Sequence, residues 1–154
     1  EWRDTLQFFD HVFKQLGENG EIILVKGNHD LVLDPIAKKR SIKIVDSYQL
    51  DDITIIHGHK VPLISGKIII IGHEHPAISF SERRDEKFKC FLKGRWKDKI
   101  LIVQPSLNMI TQGSDVLREE HLSPFLKEGI ENFEVFVVED AVRYFGKIRD
   151  IREM

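Results

Sequence analysis

The sequence has a single cysteine, Cys90, in 154 residues. A lone thiol rules out an internal disulfide framework and fits a reducing, cytoplasmic compartment. Long apolar runs are also missing. The longest, such as Ile68 to Ile71, fall far short of the ~20 residues that a membrane-spanning helix needs. No charge sign dominates: 23 Lys and Arg face 25 Asp and Glu, for a net charge of -2. That balance excludes a globally basic nucleic-acid binder and leaves room only for a local basic patch. Repeats, low-complexity tracts and linkers are absent, so residues 1–154 read as one domain. What is present is 42% apolar and 31% charged, enough to bury a core, and unlike a disordered chain, a collagen or a coiled coil.

Residues 2 to 16 have helical spacing. Trp2, Leu6, Phe9, Phe13 and Leu16 fall on one face, and Gly17 with the following Glu-Asn-Gly would end the helix. A repeated grammar follows. Ile22 to Val25, Ile53 to Ile56 and Ile68 to Ile71 are short β-branched runs of the kind that form strands buried on both faces. Each run leads into a polar, histidine-bearing cluster. Asp34 to Arg40 reads as a short helix with Asp34 as cap and Pro35 at its first position. Residues 86 to 104 read as a hairpin leading into Gly94, and 115 to 127 as a weak helix broken at Ser123-Pro124. Glu134 to Glu139 and Val142 to Ile148 are the last expected strands. The mixture predicts a layered α/β domain.

Five of the seven histidines sit in the three strand-end clusters: His29, His57, His59, His73 and His75. His73 and His75 flank one residue, and in an extended segment such a pair points the same way. Neutral imidazole is the commonest protein metal ligand, and Asn28 adds a hard carbonyl oxygen. Nitrogen and oxygen donors without cysteine argue for a hydrolytic metal centre. Asn28-His29-Asp30 alone would be ordinary turn chemistry; three such clusters after three strands outweigh that reading. His11 and His121 read as ordinary residues of a helix and a charged segment.

Gly27-Asn28-His29-Asp30, His57-Gly58-His59 and Gly72-His73-Glu74-His75 together resemble the calcineurin-like metallophosphoesterase superfamily. They match its last three motifs, in order. Phe91 to Trp96, Pro105 to Asn108 and Tyr144 to Lys147 bring the likeness nearest to small archaeal phosphoesterases related to the SbcD nuclease subunit. The resemblance implies a layered α-β-β-α sandwich. It implies two divalent metal ions, manganese first, with iron, zinc or nickel as alternatives. Asn28, His57 and His73 would hold one ion and His75 the other. His29 would act on the transition state or leaving group, His59 on the substrate phosphate, and Asp30 would orient the His29 loop. The substrate would be a phosphate ester, with DNA or RNA as candidates.

The family's first two motifs, Asp-x-His and Gly-Asp, do not occur before Gly27. They supply most ligands of the first metal and the carboxylate bridging both. The chain therefore resembles the C-terminal two-thirds of such an enzyme, without its first strands. It begins Glu-Trp-Arg-Asp rather than with Met, and residues before Glu1 are expected. A neutral Asn-His-His set should bind manganese weakly, so the chain by itself is expected to be inactive or nearly so. The competing readings are a non-catalytic scaffold of the same fold and a plain metal-binding structural domain. Residues 82 to 99 hold eight Lys or Arg, with Phe88, Phe91 and Trp96 interleaved. They read first as a solvated hairpin packing Phe88 inward, and second as a nucleic-acid surface. Oligomeric state leaves no mark, although an incomplete sheet would expose edges that invite association.

Overall fold

The structure is a computed structural model and describes residues 2–16, 20–30, 33–80, 86–108 and 110–154. It is a mixed α/β fold with a large mixed sheet and few helices. In chain order the elements are α1 (Trp2–Leu16), β1 (Ile23–Val25), α2 (Leu33–Arg40), β2 (Lys43–Val45), β3 (Ser47–Leu50), β4 (Ile53–Ile56) and β5 (Ile68–Ile71). Then come β6 (Pro76–Ser79), β7 (Lys87–Trp96), β8 (Lys99–Val103), β9 (Ser114–Asp115), β10 (Glu134–Val138), β11 (Val142–Lys147) and α3 (Ile148–Arg152).

The main path of the sheet runs β11-β10-β7-β8-β5-β4-β3. Its centre is parallel: β4 pairs β5, and β5 pairs β8, in the same direction. The flanks are antiparallel. Strand β7 is ten residues long because it serves two neighbourhoods. Its first residues pair with β6 and the rest with β8 and β10. β1 and β2 form a separate parallel pair.

Two cores follow from this division. The larger joins Ile69, Ile71, Cys90, Leu92, Leu101, Val103, Phe125, Val135 and Ile148. The smaller packs α1 and α2 against β1 and β2 through Phe9, Ile36, Ala37 and Ile42. Leu6, Phe9 and Phe13 of the apolar stripe of α1 belong to it, so burial of one face accounts for that helix.

Several expectations need correction. β4 and β5 are not buried on both faces; fully buried and half-buried residues alternate along each, as in a strand with one deep face. The hairpin turns at Lys97-Asp98, and Gly94 lies inside β7. Residues 115 to 127 are not a helix: β9 is followed by turns, and Ser123-Pro124 falls within that irregular stretch. The last strand stops at Lys147, and Ile148–Arg152 is a short helix whose Ile148 and Ile151 are buried. α2 starts at Leu33, and the Asp34 carboxylate reaches Lys26 Nζ at 2.6 Å. The helix end expected at Gly17 lies outside the described residues. Among the described residues, no helix is long and apolar enough to cross a membrane.

Candidate metal and phosphate site

Parallel strands bring their carboxyl ends to one edge, where ligands of α/β sheets usually bind. Here β4 delivers His57-Gly58-His59 and β5 delivers Gly72 to His75. The two turns are joined at their roots. Gly72 N–H and His73 N–H both donate to the His57 carbonyl, at 3.0 and 2.8 Å. Gly58 has φ +103°, a left-handed conformation that glycine adopts without strain.

The turn after β1 joins from the smaller sheet. Asp30 accepts the Gly27 N–H at 2.8 Å and closes that turn on itself. Gly27 leaves room for the contact. A Cβ there would lie 2.8 Å from Asp30 Oδ2 and 3.0 Å from His57 Cε1. The turn puts Asn28 Oδ1 3.0 Å from His57 Nε2, and His73 Nδ1 lies 3.0 Å from that same nitrogen. The His57 ring centroid is 4.8 Å from that of His73 and 5.4 Å from that of His59.

The electrostatics favour the neutral form of His57, His73 and His75. Burial, then the neighbouring His73 and His59, pushes His57 down from 6.5 to about 4. Burial first, then His59, His75 and His29, lowers His73. Burial and the Lys89 cation lower His75, against the opposing pull of Glu74. Neutral imidazoles carry the lone pairs that a metal ion requires.

Of the residues singled out from sequence, the structure brings Asn28, His57, His59 and His73 into direct proximity. His29 and His75 are near enough for their charges to bear on His73. Asp30 closes its own turn and favours the charged form of His57. His11 is exposed on α1, away from the cluster. Sequence reasoning missed Glu74, which is 1% exposed and whose Oε1 lies 3.7 Å from His121 Nδ1. A carboxylate between two motif histidines was the available signal.

The donor set fits one divalent ion in part. His57 Nε2 contacts an oxygen and a nitrogen at 3.0 Å each, close to the ~3 Å between adjacent ligands of an octahedral ion held at about 2.1 Å. His59 Nδ1 is buried and, among the described residues, has no hydrogen-bond partner. Yet no three His, Cys, Asp or Glu side chains among the described residues are placed to hold a metal ion. The set is neutral and short of carboxylate.

The basic segment is mostly committed elsewhere. Trp96, Cys90 and Leu92 are core, and Phe88 packs against it. Lys87 binds Glu119 and Gly113 O, Lys89 binds Ser106 O and Asn108 O, and Lys99 binds Gly66 O. Arg83 and Arg84 lie outside the described residues. A cavity of about 560 Å³ opens beside Gly94 and Phe133, remote in lining from every histidine. Its charges offset one another, as Lys93 and Glu134 do at 3.7 Å, so the chemistry belongs to the histidine cluster.

No family model matches the sequence, and no curated protein does. Among solved structures the chain is similar to the crystal structure of Pseudomonas putida nuclease MPE, with a TM-score of 0.57 and 17% identity. The match covers 83% of this chain and 55% of that one, so the chain spans little more than half the length of that nuclease. At this identity the likeness is one of fold.

Proposed function

We propose that the chain carries part of the active site of a metal-dependent phosphoesterase of the calcineurin-like kind, with an SbcD-related nuclease as the narrower reading. The observation that carries it is the convergence of Asn28 Oδ1 and His73 Nδ1 on His57 Nε2, from three separate strand ends. The likeness in fold to a nuclease supports the reading. A phosphodiester of DNA or RNA is the proposed substrate class.

Asn28, His57 and His73 would hold one divalent ion, manganese first, and His75 would contribute to a second. Bound metal would supply charge stabilisation at the phosphate and a nucleophilic hydroxide. The protein's own groups have distinct tasks. His59, whose buried Nδ1 has no hydrogen-bond partner among the described residues, would touch the substrate phosphate or support a ligand. His29, exposed at its turn, would stabilise transition-state charge or deliver a proton to the leaving alkoxide. Asp30 holds that turn by accepting the Gly27 N–H. The neutral donor set makes weak metal binding and little or no hydrolysis the expectation for these 154 residues.

A non-catalytic scaffold is the second reading, favoured because no three His, Cys, Asp or Glu side chains among the described residues are placed to hold a metal ion. One experiment separates them. The ³¹P signal of dimethyl phosphate is recorded with manganese and the chain, and again with the His57→Ala variant. Excess paramagnetic broadening in the parent alone supports the phosphoesterase reading. Equal broadening in both overturns it.

A further inference from the structure

Glu74 is the middle residue of the His73-Glu74-His75 turn, and a carboxylate this deep needs donors. They come from far along the chain. Leu122 N–H donates to Oε1 at 3.3 Å, and Ser123 N–H to Oε2 at 2.8 Å. Ser123 is fully buried, and its hydroxyl donates to the Gly58 carbonyl at 2.8 Å. Leu122 and Ser123 therefore hold the turn of His73 and His75 on one side, and Ser123 the turn of His57 and His59 on the other.

A second tie between the turns has a geometric consequence. The hydrogen bonds of Gly72 and His73 to the His57 carbonyl fix only the roots of the turns. One fixed point leaves each turn able to pivot. The path Glu74 to Ser123 to Gly58 adds a second point beyond the first, and two points set orientation. Pro124 restricts the backbone of Ser123 and keeps the hydroxyl and the amide aimed at their separate acceptors.

We infer that Glu74 and Ser123 are positioning residues of the histidine cluster, bridging its two turns through Leu122 and Ser123 so that His57 and His73 keep their mutual contact. The consequence for metal rests on the function proposed above; the geometry does not.

The test uses the chain with isotope-labelled histidine. The ring-proton Overhauser effect between His57 and His73, whose centroids are 4.8 Å apart, is recorded without metal in the parent, Ser123→Ala and Glu74→Gln. Manganese alone is then titrated into each. The parent should show the effect, and Ser123→Ala should weaken it several-fold with core resonances in place. Manganese affinity should fall on the order of tenfold, as for other groups that orient ligands. A folded Ser123→Ala with the parent's Overhauser effect overturns the inference, whatever its melting temperature, since lowered stability alone is what a merely structural role produces. No effect in the parent overturns it too. If the parent shows the effect but binds no manganese, the bridge stands and the metal reading falls. Should Glu74→Gln fail to fold, Ser123→Ala, which removes one hydroxyl, decides.

Discussion

His57 Nε2 and His73 Nδ1 stand 3.0 Å apart although sixteen residues separate them in the chain. Parallel pairing of β4 and β5 produces the contact. Register places Ile55 beside Ile70, and both strands release their histidines at the same edge. Asn28 meets the pair from the other sheet. If these three atoms form a ligand set, calorimetric titration of the chain with manganese should show one weak site. His57→Ala should abolish that site, and His11→Ala, on the exposed face of α1, should leave it unchanged. Two tight sites in the parent would mean that other groups complete the centre.

The same crowding makes stability depend on acid. His57 has a folded pKa near 4 against an ordinary 6.5, chiefly from burial and secondly from His73 and His59. His73 and His75 are displaced in the same direction. As pH falls below 6.5 the unfolded chain takes up protons before the folded one, which favours unfolding. The stability linked to these rings is therefore complete above pH 6.5 and is lost progressively toward pH 4. Urea unfolding between pH 7 and 4 should show that decline. His57→Gln should flatten it. A pH-independent midpoint in the parent would contradict the crowded geometry.

The strand ends were legible because the signal is local. Ile53 to Ile56 and Ile68 to Ile71 are β-branched runs that break sharply at His57 and Gly72. β6 was not legible: Pro76 opens it, all four residues are buried, and no alternation betrays it. Residues 115 to 127 read as a weak helix broken at Ser123-Pro124, and the structure has none there. In the fold Val116, Phe125 and Leu126 are buried core residues and Leu117 packs against them, with no helix between. Nor does composition point Glu74 toward Ser123, because that bond spans 49 residues and exists only through the tertiary fold. The site was half-readable for the same reason. Ligand-type residues announce themselves, whereas the groups that orient them are ordinary until they are packed.

Gly27→Ala tests how tightly the Asn28 turn is drawn onto the cluster. The new Cβ would stand 2.8 Å from Asp30 Oδ2 and 3.0 Å from His57 Cε1, both tighter than ordinary contact. The Asp30 carboxylate must rotate away from the Gly27 N–H, or the His57 ring must shift. A cost of about 1–3 kcal/mol is expected, from the lost hydrogen bond and the overpacking together. Chemical denaturation measures it, and the His57 and Asn28 resonances should move while those of β7 and β10 stay fixed. A stability equal to the parent's, with unmoved His57 signals, would show that the turn is not held against the ring.

Cys90 supplies the alkaline counterpart. Its side chain has no exposure in the main core, and burial, aided by Asp115, pushes the thiol from 9.0 up to about 12. The unfolded chain loses this proton first as pH rises past 9, so unfolding becomes easier with alkali. Linked stability is complete below pH 9 and declines toward pH 12, with a slope of up to about 1.4 kcal/mol per unit. Other groups titrate there too, so the comparison is with Cys90→Ala. That variant should be less stable at pH 7, because it leaves a small cavity, yet should lose less stability between pH 9 and 11. The thiol should also resist Ellman's reagent at neutral pH and react only when the chain unfolds, because the thiolate is the nucleophile. Rapid reaction of the native chain at pH 7 would mean that the strands around Cys90 open far more readily than a packed core allows.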